Sequence, residues 1–64
     1  MINRVKEERV SQKISQEELS RKSGVARAII SGLESGRVST TTTETLEKIA
    51  HALGRKVTEI FFWI

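Results

Sequence analysis

The chain has 64 residues, a formal net charge of +3 and a sequence pI near 9.8, and it contains no cysteine, no proline and one histidine. This length predicts one domain, residues 1–64, and the composition excludes a disulfide framework and a metal site built from His and Cys. No apolar run approaches the roughly 18 to 20 residues of a membrane span, and the amino terminus does not resemble a signal peptide, so we expect a cytoplasmic protein with no membrane partner.

The residue sets of common catalytic centres are also missing. Aspartate is absent, and no arrangement of His, Cys or Lys suggests an activated nucleophile. His51 has no partner at metal-ligand spacing. The sequence therefore predicts no enzyme activity, no metal, no cofactor and no small-molecule substrate. The excess of Lys and Arg weakly favours a polyanionic partner, because these side chains neutralise phosphates.

Apolar positions recur at helical spacing along nearly the whole chain, and little supports strands. We therefore predict an all-α fold, a compact bundle of four to five short helices. The first helix should run from about Asn3, a fair N-cap, to about Gln12. Val5 and Arg9, one turn apart, would lie on its inner face.

The second and third predicted helices follow each other closely. Ser15 and Glu18 have the spacing of a capping box, in which a hydroxyl accepts from an early helix amide and a carboxylate reaches back to the cap amide. The helix that begins there should end near Ser23 and Gly24. The next helix should run from about Ala26 to Ser35.

Residues 16–35, QEELSRKSGVARAIISGLES, have the pattern of a helix-turn-helix. Two short helices that cross steeply need a small side chain where their axes are closest, and Ser20 supplies it, while Gly24 suits the turn that follows. The apolar residues that would lock the pair are Leu19, Val25, Ile30 and Leu33. Gly36 offers a left-handed C-cap to the third helix. Gly32 inside that helix costs about 1 kcal/mol relative to alanine.

The stretch after the third helix is rich in hydroxyl groups, VSTTTTE. Such side chains favour turns and N-caps over helix interiors. Thr41 with Glu44 fits another capping box, and Thr40 or Thr42 would also serve as the cap. The sequence therefore predicts a turn here and leaves open which threonine caps the fourth helix.

The fourth helix has the cleanest amphipathic pattern in the chain. Its apolar stripe at i, i+3, i+4 and i+7 consists of Leu46, Ile49, Ala50 and Leu53. Gly54 is predicted to end this helix. After it, Val57, Ile60 and Phe61 should make a last helical turn that packs back on the core.

From about Asn3 to Phe61 the sequence resembles the lambda-repressor-like helix-turn-helix family, also called the Cro/C1 or XRE family of phage and bacterial regulators. The most specific stretches are ISQEELSRKSGV, ISGLESGR and TLEKIAHALG. The resemblance implies a five-helix bundle whose third helix lies in the major groove of double-stranded DNA. It also implies a nucleoid-associated transcription regulator, such as a repressor, that occupies an operator and blocks or recruits polymerase.

The resemblance also assigns site residues in this chain. Arg27 resembles the principal base-reading position, where an arginine presents two donors to O6 and N7 of guanine. Ala28 and Gly32 match neighbouring base-reading positions, and Ala28 offers only a methyl contact to thymine. The residues that match phosphate-contacting positions are Ser15, Gln16, Ser35 and Arg37. Arg9 and Glu34 match a structural ion pair that joins the first and third helices.

The carboxyl terminus, FFWI, concentrates more large apolar residues than so small a chain can bury. In one interpretation Phe61 lies in the core and the rest is frayed. In the other, which we favour, residues 60–64 are a dimerisation tail in which Phe62, Trp63 and Ile64 form part of a two-fold interface, as an added strand. A two-fold dimer would place two reading helices about 34 Å apart and so predicts a pseudo-palindromic operator.

The sequence thus predicts a homodimeric, sequence-specific regulator of transcription that binds double-stranded DNA. An antitoxin-like or adaptor protein is the first alternative, with the apolar tail or Ile29 as the contact to another protein. A relative that kept the fold without binding DNA is the second. Binding to duplex DNA that weakens steeply with salt would favour the regulator, because phosphate contacts release counterions.

Overall fold

The computed structural model describes residues 2–63, which form five helices and two short strands. The helices are α1 (Val5–Ser11), α2 (Gln16–Ser23), α3 (Arg27–Ser35), α4 (Thr43–Ala52) and α5 (Val57–Ile60), and the strands are β1 (Ile2–Asn3) and β2 (Phe61–Phe62). None of these five helices is long and apolar enough to cross a membrane. The predicted helical bundle with a helix-turn-helix at its centre is confirmed.

Hydroxyl side chains define where α2 and α4 begin. In the capping box of α2, Ser15 Oγ accepts from the Glu18 amide at 3.0 Å, and Glu18 Oε1 accepts from the Ser15 amide at 3.3 Å. At α4 the cap is Thr42, whose Oγ1 accepts from the Thr45 amide at 3.2 Å. The capping box is therefore confirmed, and the choice among three threonines falls on Thr42.

The first helix begins slightly later than the sequence predicts. α1 starts at Val5, and the residue in its N-cap position is Arg4, which makes no side-chain cap hydrogen bond. Asn3 lies in β1, where its Oδ1 accepts from the Val5 amide at 3.2 Å and its Nδ2 donates to the Leu33 carbonyl at 3.0 Å. Asn3 therefore stabilises the start of α1 and the end of α3 from a strand position.

The core is built from one face of each helix. Its buried apolar residues are Val5, Leu19, Val25, Ile30, Leu33, Leu46, Ile49, Ala50, Leu53, Ile60 and Phe61. This set contains the whole predicted stripe of α4 and all four residues predicted to lock α2 against α3. α2 packs on α3 and α4, and α1 packs on α3. The inner face of α3 is therefore covered by α1 and α2.

The two ends of the described chain pair as an antiparallel sheet, which the helical spacing did not predict. Ile2 lies opposite Phe62 and Asn3 lies opposite Phe61. Phe61 is therefore a buried strand residue, and the last helical turn ends one residue earlier, at Ile60. Two residues per strand are too few for the strand period of two to show in a sequence.

Gly32, in the middle of α3, lets the loop that follows close onto the helix. The Val38 amide donates to the Gly32 carbonyl at 2.9 Å. Gly32 is buried, and a Cβ atom added to it would overlap Cγ2 of Val38. The cost of glycine in helix propensity is therefore offset by the close approach of Val38.

We expect Gly32→Ala to lower the free energy of unfolding, although alanine is the better helix former. The added methyl group must displace Val38, and overpacking of this kind costs about 1 to 3 kcal/mol against a gain of about 1 kcal/mol in helix propensity. Urea unfolding followed by circular dichroism measures the difference. In a Val38→Ala background the same substitution should be neutral or stabilising, and an equal penalty in both backgrounds would contradict the packing explanation.

Candidate nucleic-acid interface

Two serine hydroxyls fix the turn between α2 and α3. Gly24, which follows α2, has a φ of 73°, a left-handed conformation that glycine adopts without a steric cost. Ser20 Oγ donates to the Val25 carbonyl at 2.6 Å, and Ser23 Oγ accepts from the Val25 amide at 3.2 Å. The sequence pattern points to Ser20 for its small size, whereas the structure shows that its hydroxyl also holds the turn.

The outer face of α3 is exposed and begins with an arginine. Arg27 and Ala28 are exposed, whereas Ile30 and Leu33 on the opposite face are buried. Within residues 2–63, no carboxylate forms an ion pair with the Arg27 guanidinium. The Arg27 side chain is therefore available to a ligand.

The first turn of α3 differs in charge from the first turns of the other four described helices. α1, α2, α4 and α5 each carry glutamate there, where a negative charge interacts favourably with the helix dipole. The first turn of α3 carries no acidic residue, and its first residue is Arg27. The amino end of α3 therefore keeps a positive potential that suits a polyanion.

One carboxylate on α3 joins three helices. Glu34 Oε2 accepts from Arg9 Nε at 2.7 Å, and Glu34 Oε1 accepts from Arg9 Nη2 at 3.0 Å. Glu34 Oε1 also accepts from Gln16 Nε2 at 3.1 Å. Only 14% of the Arg9 side chain and 5% of the Glu34 side chain are exposed. The expected ion pair is present, and Gln16 is a third member that the sequence did not indicate.

The surroundings of Glu34 keep its carboxyl group ionised. Burial by itself raises the pKa of this carboxyl, but the hydrogen bonds from Arg9 and Gln16 outweigh burial and hold the pKa below its usual 4.5. The hydrogen bond to Glu34 likewise raises the pKa of the Arg9 guanidinium. Both groups are therefore charged at neutral pH, and their attraction stabilises the folded state.

The remaining residues that match phosphate-contacting positions lie at the two ends of this region. Ser15 is exposed, and its Oγ caps α2. Arg37 is exposed beyond the end of α3. The hydroxyl of Ser35 makes two local hydrogen bonds. Its Oγ donates to the Gly32 carbonyl at 3.2 Å and accepts from the Arg37 amide at 3.3 Å. The geometry thus gives Ser35 a local role, which is to orient the backbone at Arg37.

The structure contradicts a base-reading role for Gly32. This residue is buried, and an added Cβ atom would overlap Cγ2 of Val38, so little of it is accessible to a base. Ser31, which the sequence reasoning missed, is half-buried and lies four residues after Arg27, on the same face of α3. The i, i+4 spacing from Arg27 is the signal that would have identified it.

Three apolar residues lie at the paired chain ends, Ile2, Phe62 and Trp63, and we call them the apolar patch. Phe62 is half-buried opposite Ile2 in the sheet, whereas 69% of Trp63 and 52% of Ile2 are exposed. Ile64, the third residue of the predicted tail interface, lies outside the described residues. β2 pairs on one side with β1 of the same chain, so a further strand could pair only along the other side.

Comparison with known protein families agrees with this geometry. A family model described as helix-turn-helix matches residues 5–60. The matched range runs from the first residue of α1 to the last residue of α5, so it contains all five described helices and omits both strands. No curated protein matches the chain.

We expect Glu34→Gln to lower the free energy of unfolding at pH 7 by about 2 to 3 kcal/mol, because Arg9 is left nearly enclosed without a counter-charge. The pKa of Glu34 is depressed in the folded state, so its contribution is complete above the usual pKa of 4.5 and is lost as the pH falls through the folded-state value. The difference from the wild type should therefore shrink below about pH 4.5. Urea unfolding from pH 7 to pH 3 measures it.

Glu17→Gln is the matched control for this experiment. It breaks the exposed pair between Arg21 Nη1 and Glu17 Oε1, which are 3.2 Å apart. Exposed pairs of this kind contribute less than about 1 kcal/mol, so this substitution should change stability little at pH 7. A Glu34→Gln penalty as small as that of the control would contradict the importance of the enclosed pair.

Proposed function

The chain belongs to the Cro/C1-type helix-turn-helix family of DNA-binding transcription regulators, and we propose that it binds a pseudo-palindromic operator as a sequence-specific homodimer. The family is regulatory rather than enzymatic. In this proposal α3 lies in the major groove of double-stranded DNA and α2 lies against the backbone. We therefore expect the protein to be associated with the nucleoid, where an occupied operator blocks or recruits polymerase.

The observation that carries the proposal is the exposed amino end of α3. A helix that enters the major groove brings its first turn close to phosphates on both sides, so a glutamate there would be repelled. α3 is the one described helix whose first turn has no glutamate, and it presents Arg27 without a carboxylate partner among the described residues. This charge pattern supports DNA over an uncharged or cationic partner.

The proposed contacts divide into base reading and phosphate binding. Arg27 reads guanine with two donors, and Ala28 offers its methyl group to thymine. Ser31 extends this face by one hydroxyl, which can donate to or accept from a base or a phosphate. Gln16 and Arg37 flank α3 and bind phosphates, which fixes the register of the protein on the duplex. The phosphate contacts further include Ser15, and Ser35 supports Arg37.

The apolar patch supports the dimeric part of the proposal. At the paired chain ends Trp63 is 69% exposed and Ile2 is 52% exposed; such large apolar surfaces are unfavourable in water and suit a buried contact. Such a patch is self-complementary across a two-fold axis, where Trp63 of each copy packs on the patch of the other. The resulting dimer presents two copies of α3 to successive major grooves about 34 Å apart.

We expect Arg27→Ala to remove one base preference per half-site without unfolding the protein. A bidentate arginine–guanine contact discriminates by about 1 to 3 kcal/mol, so affinity for the preferred operator should fall by roughly tenfold or more. A random-site selection gives the operator, and fluorescence anisotropy with that duplex gives the affinity. Unchanged selectivity in the variant would remove Arg27 from base reading.

The matched control is Lys48→Ala, which removes the same charge from an exposed residue of α4 that pairs with Glu44 at 3.2 Å. This substitution should leave the selected sequence unchanged.

The salt dependence of DNA binding tests the alternative function. Wild-type affinity for duplex DNA should fall linearly with salt on logarithmic axes, and absence of salt-dependent binding would favour an antitoxin-like or adaptor role instead.

We expect Trp63→Ser to shift the protein from dimer toward monomer, because buried tryptophans contribute strongly to protein interfaces. Sedimentation equilibrium over a range of concentrations measures the change, and circular dichroism confirms that the variant is folded. Val10→Ser is the control, since Val10 is also a large apolar residue, 55% exposed, but lies on α1 outside the patch. Equal dimerisation of the Trp63→Ser variant and the wild type would show that the patch is not the interface.

A further inference from the structure

The side chain of Gln16, at the first position of α2, is tied to α3. Its Nε2 donates to Glu34 Oε1 at 3.1 Å, and the residue is half-buried. We infer that Glu34 is a positioning residue, which holds the Gln16 amide in the orientation that presents an N–H donor to a DNA phosphate. This inference rests on the proposed DNA-binding function and assigns Glu34 a part in it beyond the ion pair.

The orientation follows from the chemistry of the two groups. An ionised carboxylate only accepts hydrogen bonds, whereas an amide has two N–H donors at one end and an acceptor oxygen at the other. Glu34 therefore dictates that Gln16 turns Nε2 toward it, with Oε1 at the other end of the group. One N–H is used in this contact, and within residues 2–63 the second N–H has no acceptor. A phosphate also only accepts, so the free N–H is the group that it requires.

The ion pair alone does not explain the contact with Gln16. Arg9 already reaches both carboxylate oxygens, at 2.7 Å and 3.0 Å. The bond from Gln16 is added to a carboxylate that is already paired, and it restricts a side chain that would otherwise be free to rotate. Fixing a glutamine costs side-chain entropy, and here that cost falls on folding instead of on DNA binding.

Arg9 makes this arrangement compatible with nearby DNA. A bare carboxylate next to a phosphate would repel it, and the repulsion would cancel the gain from a positioned donor. The two hydrogen bonds from the Arg9 guanidinium neutralise Glu34 without occupying the free N–H of Gln16. Arg9 on α1 thus neutralises the carboxylate of Glu34 on α3. That carboxylate in turn orients the N–H donor of Gln16 on α2.

The test is a double-mutant cycle on DNA affinity. Binding to a 30-base-pair duplex of random sequence is measured by fluorescence anisotropy for the wild type, Gln16→Ala, Glu34→Gln and the double variant. In the wild-type background Gln16→Ala should weaken binding about tenfold, since hydrogen bonds to charged groups are strong. The amide that Glu34→Gln introduces offers both a donor and an acceptor, so it no longer dictates which end of Gln16 faces it. In the Glu34→Gln background the same change should therefore weaken binding only about twofold to threefold.

Arg37→Ala is the control, because Arg37 is another proposed phosphate contact and forms no hydrogen bond with Glu34 or Gln16 within the described chain. Its penalty should be the same in both backgrounds. If Glu34→Gln does not fold, Glu34→Asp replaces it, since it keeps the charge but withdraws the carboxylate by one methylene group. Equal penalties for Gln16→Ala in both backgrounds would overturn the inference alone, whereas no binding by the wild type would overturn the proposed function and this inference together.

Discussion

The contact between Arg9 and Glu34 is the interaction on which the geometry of the proposed DNA-binding surface depends. It joins α1 to the last turn of α3, and through Gln16 it also reaches the start of α2. Because both charges are nearly enclosed, neither can be lost without leaving the other desolvated. One charged pair, together with its bond to Gln16, thus joins three helices that the apolar core also packs together, and it helps to hold the surface that they present.

Polar contacts of α1 with the end of α4 and the loop after it add to the stability of a core that is small because the chain is short. Gln12 Nε2 donates to the Leu53 carbonyl at 2.7 Å, which ties the end of α1 to the end of α4. Arg55 Nε donates to Glu8 Oε1, also at 2.7 Å, and this hydrogen bond lowers the pKa of Glu8. The first contact satisfies a backbone carbonyl at the end of α4. Both contacts join distant parts of a 64-residue chain that has no cysteine and only a small core.

The charge distribution separates the helices that support the fold from the helix that reads DNA in the proposed function. Four described helices gain stability from glutamates in their first turns, and α3 forgoes that gain. α3 also carries Gly32, which lowers helix propensity and accommodates Val38. The packing of α1 and α2 against its inner side compensates for an intrinsically weak helix. A surface suited to a polyanion is thus maintained by its neighbours.

Local sequence patterns by themselves determined much of the helical structure of this protein. The cap at Ser15, the turn at Gly24 and the stripe that begins at Leu46 were predicted because each depends on residues within one or two helical turns. The ion pair of Arg9 with Glu34 came from the resemblance to a family and not from local spacing. Tertiary structure alone decided the strand pairing of the chain ends, the burial of Gly32 and the bond between Gln16 and Glu34. These contacts join residues that packing brings together, in the last case 18 positions apart, and no local pattern encodes a distance across the fold.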